Sequence, residues 1–211
     1  MSNGDSMRHG EAGRDERCGT AELCDIEFER IMQQFWIFGY GSLMWRPGFD
    51  YVEAEPALIH GFHRSLCVYS HVHRGTPERP GLVLGLDRGG SCHGIAFRLT
   101  EQQLEATLSY LRAREQVTMV YLERTSPIRL IRTGLEVRAL TYVVDRHHRQ
   151  YACRLSSDDI IQHIEFSAGQ SGPNIDYVRN TVGHLRAMGI RDAALEHLIE
   201  ILDAQKSAKA N

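Results

Sequence analysis

The spacing of apolar residues changes part-way along this chain, and the change limits the folds that the chain can adopt. Between residues 57 and 144 the apolar stretches are short and bounded by Gly, Pro or Asp, as is typical of β-strands. From residue 157 onward they recur at helical intervals. Strands first and helices later predict an α+β fold around a mixed or barrel-like sheet. The predicted strands are WIFGY (36–40), Ala57–Ser70, Gly81–Leu86, Ser91–Leu99, Ser126–Arg132 and Glu136–Val144.

One helix is expected to interrupt the strands. Thr100 and Gln103 have the spacing of a capping box, and the helical segment continues to about Glu115. The last third of the chain predicts three more helices, because its apolar residues are spaced three and four apart. Their expected bounds are Ser157 to about Ala168, then a helix that Gly189 ends and one that starts after Asp192, with the loop GQSGP (169–173) after the first.

The N-terminal segment has few residues to bury. Residues 1–20 are mostly Gly, Ser, Asp, Arg and Glu, so we predict that 1–30 is a disordered extension. It would include the start of a short helix over 21–34. Residues 31–205 are predicted to form a single domain, since the chain contains no internal repeat and no long linker.

Composition and charge exclude several classes of partner. The 211 residues have a net charge of −3, and Lys and Arg are scattered, which gives no electrostatic basis for binding nucleic acid or an anionic membrane. Five cysteines without a C-x-x-C pair indicate a reducing compartment. There is no apolar run of about 20 residues and no signal peptide, so we expect a cytoplasmic protein. The sequence does not indicate an oligomeric state.

A carboxyl group lies on the predicted buried face of the inserted helix. Leu104, Leu108 and Leu111 form its apolar stripe, and Glu115 follows Leu104 by about three helical turns. Burial and the helix C-terminus both raise the pKa of a carboxyl group, whereas the neighbouring arginines would lower it. A carboxyl pKa nearer neutrality suits general acid/base chemistry. If the helix instead frays before Glu115, that residue is an ordinary solvated glutamate.

A glycine turn, FGYGS (38–42), follows the first predicted strand. Glycine permits positive φ and a close backbone approach, so successive N–H groups in such a turn can face a concavity that holds an anion. The segment lacks the third glycine of a dinucleotide-binding fingerprint and the Gly-Lys-Ser/Thr end of a P-loop. Taken alone, a turn of this kind is more often structural than ligand-binding.

The histidines and Ser42 do not form a recognisable catalytic or metal motif. His60, His63, His71 and His73 lie on neighbouring strand segments, but no third ligand has suitable spacing. We therefore expect no metal and no other cofactor. Ser42 is not in a G-x-S-x-G nucleophile elbow.

Four segments of the chain carry a more specific pattern. They are WIFGYGSLMWRPGF (36–49), HRGTPERPGLVLGLDRGGSCHGIAFRL (73–99), YLRARE (110–115) followed by VYLER, and SAGQSGPNIDYV (167–178). In their order and spacing they resemble the ChaC-like glutathione-specific γ-glutamylcyclotransferases, over roughly residues 36–190. The chain departs from that family's pattern at Arg112, where an aromatic residue is common, and at Gln116, where methionine is common.

The resemblance implies a fold, a reaction and a site. The fold would be the γ-glutamylcyclotransferase-like one, a small mixed β-barrel with flanking helices. The reaction would convert glutathione into 5-oxoproline and cysteinylglycine through attack of the γ-glutamyl α-amine, with Glu115 as the general acid/base and no cofactor. The substrate-binding residues would be the glycine turn and the strand end before it, namely Ile37, Phe38, Gly39, Tyr40, Gly41, Ser42 and Leu43.

Other functions stay open at this point. A cyclotransferase for other γ-glutamyl amino acids or amines would use the same residues with a different pocket. A non-catalytic regulator of ion transport would need neither Glu115 nor the glycine turn. A cupin-like metal enzyme that uses the strand histidines would lose activity on chelation.

Overall fold

The computed structural model describes residues 35–210. The predicted disordered extension over 1–30 and the short helix over 21–34 lie outside the described residues. They stay predictions, as does a domain boundary at residue 31. The described residues group into one compact unit.

Five strands form the central sheet: β1 (Phe35–Gly39), β2 (Glu53–Ser70), β3 (Gly81–Leu99), β4 (Tyr121–Leu130) and β5 (Glu136–Val144). They close into a barrel in the order β1–β3–β2–β4–β5. Neighbouring strands are antiparallel except β1 and β5, which run parallel. The predicted α+β fold with a small mixed barrel is therefore confirmed.

The segment that was predicted as two strands separated by a turn at 87–90 is one continuous strand, β3. The predicted turn is wrong because β2 and β3 pair along their whole length, with a register shift between His60 and Phe62. Gly61 and Gly89 have φ angles of +81° and +104° at this shift, a region that glycine enters without strain. These glycines form an irregularity within the ribbon rather than its end.

Four α-helices flank the barrel within residues 35–210. They are α1 (Glu101–Glu115), α2 (Ser157–Phe166), α3 (Asn174–Ala187) and α4 (Ala193–Ala210). The capping box of α1 is confirmed, because the Thr100 hydroxyl accepts a hydrogen bond from the Gln103 N–H and the Gln103 side chain accepts one from the Thr100 N–H. None of the described helices is long and apolar enough to cross a membrane.

The helical third differs from its prediction in two details. The residue that caps α2 is Ser156, whose hydroxyl accepts a hydrogen bond from the Asp159 N–H, and not Ser157. The GQSGP loop contributes to a two-stranded hairpin of β6 (Ala168–Gly169) and β7 (Gly172–Pro173), which leads directly into α3.

A buried apolar cluster places α1 against the loop that follows β1. Leu111 of α1 is fully buried and belongs to the same cluster as Ile37 of β1 and Leu43 of the loop. Burying these side chains against one another holds the last turn of α1 beside the glycine turn. The fold thus brings together the two segments that the sequence singled out.

Candidate active site

A cavity of about 740 Å³ opens between the loop after β1, the end of α1 and one face of α3. This volume is within the usual range for a small-molecule site. Most of the lining side chains are aromatic or cationic, and Glu115 is the one carboxylate among them. The lining residues are Tyr40, Gly41, Ser42, Leu43, Trp45, Arg46, His73, Arg74, Val83, Leu84, Tyr110, Arg114, Glu115, Tyr121, Tyr142, Ser171, Tyr177, Asn180, Thr181 and His184.

The loop after β1 turns sharply because the chain folds back against Gly39. A Cβ atom at Gly39 would lie only 3.0 Å from the Leu43 Cβ, so the close approach requires glycine. The chain then forms one turn of 3₁₀ helix over Ser42–Met44. The first N–H groups of such a turn have no acceptor within it, and here they lie beside the cavity.

The seven residues predicted to bind substrate divide into two groups. Four of them line the cavity: Tyr40, Gly41, Ser42 and Leu43. The other three, Ile37, Phe38 and Gly39, lie in β1, where the first two side chains are buried in the core. These three support the loop from behind, and a direct role for them in binding stays a prediction.

Glu115 is the last residue of α1 and faces the cavity as its helical spacing predicts. It follows the buried Thr107 and Leu111 at intervals of four residues, and its side chain is 18% exposed. Burial raises the pKa of this carboxyl group, and the charge of Arg114 lowers it by less. The helix therefore does not fray before Glu115.

Arg114 connects Glu115 to the loop. Its Nε atom lies 3.1 Å from a Glu115 carboxylate oxygen, and its Nη2 atom donates to the Ser42 hydroxyl at 2.9 Å. Its Nη1 atom donates to the carbonyl oxygen of Arg46 at 2.7 Å and to the Tyr110 hydroxyl at 2.9 Å. The sequence indicated Arg114 only as a nearby charge. In the structure its guanidinium group contacts both the Glu115 carboxylate and the Ser42 hydroxyl of the loop.

Three tyrosines form an aromatic wall around the acid. Tyr121 donates its hydroxyl hydrogen to the Leu84 carbonyl at 2.7 Å, and the Tyr177 hydroxyl accepts from the Leu84 N–H at 3.1 Å. Burial raises the pKa of Tyr40 and Tyr121 well above the ordinary value and that of Tyr177 to about 12. All three are therefore neutral near pH 7 and surround Glu115 with apolar rings and uncharged hydroxyl groups.

A buried arginine holds the loop from the other side. Arg64 of β2 donates from Nε to the Tyr40 carbonyl at 2.6 Å and from Nη2 to the His93 carbonyl at 2.7 Å. Its Nη1 atom donates to an Asp192 carboxylate oxygen at 2.9 Å. In a trans peptide the C=O and N–H groups point in opposite directions. Because Arg64 binds the Tyr40 carbonyl, the N–H of Gly41 points away from Arg64, and Gly41 lines the cavity.

Several cavity residues were not identified as site residues from the sequence. Three of these residues lie in the segments that carry the family resemblance, namely Arg74, Tyr121 and Tyr177. The sequence did not indicate that the fold brings them together at one cavity. Arg64 lies outside those segments. Arg112, where the chain departs from the family pattern, forms an ion pair with Glu123 and does not line the cavity.

Nothing in residues 35–210 suggests a metal site. No three His, Cys, Asp or Glu side chains of this part of the chain are grouped so that they could hold an ion. Of the four strand histidines, only His73 lines the cavity, and its ring hydrogen-bonds the Ser171 hydroxyl at 3.1 Å.

Comparison with known proteins identifies a family for the chain. The ChaC-like protein family matches residues 35–205. A glutathione-specific γ-glutamylcyclotransferase of Escherichia coli K12 is 35% identical over 164 residues, which are 78% of this chain and 71% of that protein. A glutathione-specific γ-glutamylcyclotransferase 1 of Danio rerio is 35% identical over 169 residues, 79% of this chain and 86% of that protein.

A solved structure shares the fold. The crystal structure of a γ-glutamylcyclotransferase specific to glutathione from yeast superposes with a TM-score of 0.73 at 22% identity, covering 81% of this chain and 96% of that one. At this identity the likeness concerns the fold alone. The match over residues 35–205 and the 35% identity to curated relatives show that the chain belongs to the ChaC-like protein family.

Proposed function

We propose that this protein is a γ-glutamylcyclotransferase, a lyase that cleaves glutathione into 5-oxo-L-proline and L-cysteinylglycine. Curated relatives named glutathione-specific γ-glutamylcyclotransferase, 30% to 35% identical over most of the chain, support the substrate and the reaction class. The observation that carries the proposal is the position of Glu115. It is a largely buried carboxyl group with a raised pKa, and it lines the same cavity as Gly41, Ser42 and Leu43 of the loop after β1.

The reaction is an internal acyl transfer that needs no water and no cofactor. The α-amine of the γ-glutamyl group attacks the γ-carbonyl carbon, a new C–N bond closes a five-membered ring, and the C–N bond to cysteine breaks. One proton leaves the attacking amine and one is delivered to the departing amine. Because nucleophile and electrophile belong to the same molecule, holding the bent conformer supplies much of the acceleration, with effective molarities of about 10⁵–10⁸ M in well-aligned systems.

In this proposal Glu115 carries the proton between the two nitrogen atoms. The free α-amino group has a pKa of about 7.7–8.0, so near pH 7 it is mostly an ammonium and must lose a proton before it attacks. The raised pKa of Glu115 brings the base closer to this value and lets the same group return the proton to the leaving nitrogen. Arg114 keeps the carboxyl group oriented toward the loop.

The loop residues Tyr40–Leu43 would bind the negatively charged parts of the substrate. The Gly41 N–H, directed away from Arg64, and the first N–H groups of the 3₁₀ turn are candidate donors to the substrate's α-carboxylate or to the oxyanion that develops on the γ-carbonyl. The buried, uncharged tyrosines around Glu115 lower the polarity of its surroundings, which strengthens these interactions.

The proposal is tested by incubating the purified protein with reduced glutathione, oxidised glutathione and γ-glutamyl-alanine, and by following 5-oxoproline and cysteinylglycine by mass spectrometry. We expect equal amounts of the two products from reduced glutathione. Release of 5-oxoproline from γ-glutamyl-alanine but not from glutathione would favour a cyclotransferase for other γ-glutamyl compounds. No 5-oxoproline from any of the three would contradict the proposed reaction and leave a non-catalytic role.

We further propose a cytoplasmic location and no nucleic-acid partner. Within the described residues Cys67, Cys92 and Cys153 are all free thiols, in keeping with a reducing compartment. The net charge of −3 gives nucleic acid no attraction over the chain as a whole. Fractionation of cells that express the protein tests the location.

A further inference from the structure

Arg74 lines the same cavity as Glu115 and lies on the connection between β2 and β3. This connection is held in place by the β6–β7 hairpin, because the Gln170 N–H donates to the Val72 carbonyl at 2.8 Å and the Ser171 N–H donates to the His73 carbonyl at 2.9 Å. The Arg74 guanidinium donates from Nη1 to the Ser171 carbonyl at 2.6 Å and to the Pro173 carbonyl at 3.3 Å. The side chain is therefore fixed before any ligand arrives.

The charge of Arg74 is not balanced within the described part of the chain. No carboxylate of residues 35–210 lies within ion-pair distance of it, and the hydrogen bonds above use only Nη1. Its guanidinium carbon lies 5.4 Å from the centre of the Tyr177 ring, which supports the cation while leaving Nε and Nη2 as donors. A fixed, partly buried guanidinium with spare donors on a cavity wall is suited to a carboxylate.

Tyr177 is close enough to both charged groups to be influenced by each of them. Burial raises the pKa of Tyr177 to about 12, and the charges of Arg74 and Glu115 then act on it in opposite directions. The charges of both groups therefore influence the pKa of the same tyrosine, and the Arg74 guanidinium lies over its ring. Arg46, the other cavity arginine without an ion-pair partner in the described residues, is exposed and has no such anchoring.

The charge of the cavity matches a tripeptide with a carboxylate at each end. Three arginines and one glutamate line it, whereas glutathione carries two carboxylates and one ammonium. The γ-glutamyl end, with its ammonium, belongs near Glu115 and the loop. The second carboxylate is then at the far end of the leaving peptide.

We propose that Arg74 binds the C-terminal carboxylate of the leaving dipeptide and so determines the preference for γ-glutamyl peptides over γ-glutamyl amines. This inference rests on the proposed function. It assigns Arg74 to substrate specificity, through binding at a distance from the bonds that form and break.

The test compares glutathione with its C-terminal amide, in which only the glycine carboxylate is neutralised. With the wild-type protein we expect the KM of the amide to be about 10- to 100-fold higher than that of glutathione, the range for losing a hydrogen bond to a charged group. Arg74→Gln should raise the KM of glutathione by a similar factor and leave that of the amide nearly unchanged. Arg74→Lys should restore part of the difference.

Arg124→Gln is the matched control. The Arg124 guanidinium carbon also lies 5.4 Å from the centre of an aromatic ring, that of Phe62, but Arg124 does not line the cavity. This variant should keep both KM values. Equal KM increases for both substrates in Arg74→Gln would mean that the loop was damaged, and unchanged KM values would mean that Arg74 does not bind; either result overturns the inference. If even the wild-type protein releases no 5-oxoproline, the proposed function itself fails.

Discussion

Glu55 and Glu115 are both glutamates that the fold largely removes from water, and their surroundings differ. Glu55, in β2, is 1% exposed, and one of its oxygen atoms accepts hydrogen bonds from the N–H groups of Arg132 and Thr133 at 2.6 Å and 3.0 Å. Glu115, at the end of α1, is 18% exposed and faces the cavity. No backbone N–H of the described residues donates to it, and its close polar partner there is Arg114.

The difference separates a structural carboxylate from one that can exchange a proton. Backbone N–H groups that donate to a carboxylate fix the chain around it, as at the β4–β5 turn beside Glu55. Burial without such donors disfavours the charged form, which is why the pKa of Glu115 is raised. Burial alone therefore does not point to a proton-carrying acid, whereas burial with few hydrogen bonds beside a cavity makes Glu115 the candidate.

The largest expected effect is on turnover. Glu115→Gln keeps the size of the side chain but removes its ability to carry a proton, so 5-oxoproline release should fall by about 10²- to 10⁴-fold. Glu55→Gln should keep wild-type turnover per folded molecule, because Glu55 does not line the cavity. Initial rates with glutathione, normalised to the folded fraction from circular dichroism, measure both. Comparable losses in the two variants would remove the distinction between them.

A smaller effect is expected at Arg64, which holds the cavity-lining loop from behind through the Tyr40 carbonyl. The single nitrogen atom of a lysine side chain cannot reach all three oxygen acceptors that the guanidinium spans, namely the Tyr40 and His93 carbonyls and Asp192. Arg64→Lys should therefore raise the KM for glutathione by about tenfold and change kcat little, since the loop binds substrate less well.

The matched control for Arg64 is Arg146→Lys. Arg146 also donates to one carboxylate, that of Asp87 at 2.6 Å, and to one carbonyl, that of Arg88 at 3.0 Å, but neither acceptor belongs to the loop after β1. The KM of the Arg146→Lys variant for glutathione should equal that of the wild-type protein. A fall in kcat at constant KM in Arg64→Lys would indicate lost folded protein rather than a displaced loop.

The smallest effects are on stability, and they should have opposite signs. Glu55→Gln puts an amide in place of the carboxyl group that holds the buried turn, so its free energy of unfolding should fall by about 1–3 kcal/mol. The pKa of Glu115 is higher in the folded than in the unfolded state, so the native state loses stability as the pH rises through that window. Near pH 7 Glu115→Gln should thus be as stable as the wild type or more so. Urea denaturation at pH 7 compares the two, and a clear destabilisation by Glu115→Gln would contradict the raised pKa.

The sequence predicted the features that depend on local spacing. The helical period placed Glu115 on the face that buries Leu111, and the capping box at Thr100 marked where that helix begins. The short apolar stretches bounded by turn residues, followed by helical spacing, predicted the α+β class, which the closed barrel and its helices confirm. The turn at 87–90 was wrong because glycine-rich dipeptides mark both turns and bulges, and only the pairing of β2 with β3 decides between them.

The site beyond Glu115 and the glycine turn depends on contacts between distant parts of the chain. Arg114 reaches Ser42, and Arg64 reaches Asp192, only after the barrel has closed through the β1–β5 pairing. The position of an arginine in the sequence does not indicate which distant acceptor its guanidinium will contact in the fold. The family resemblance contained Arg74 within one of its segments, yet its unbalanced charge became visible only with the neighbouring hairpin in place.

The most direct test is the titration of the Glu115 carboxyl group itself. With glutamate labelled at the side-chain carboxyl carbon, ¹³C NMR spectra of the wild-type protein and of Glu115→Gln identify its resonance and follow it with pH. The Glu115 pKa should lie above the ordinary 4.5 and coincide with the acidic limb of kcat/KM in the free enzyme. A carboxyl group that titrates at or below 4.5, or an activity profile that ignores it, would contradict the assignment of Glu115 as the proton carrier.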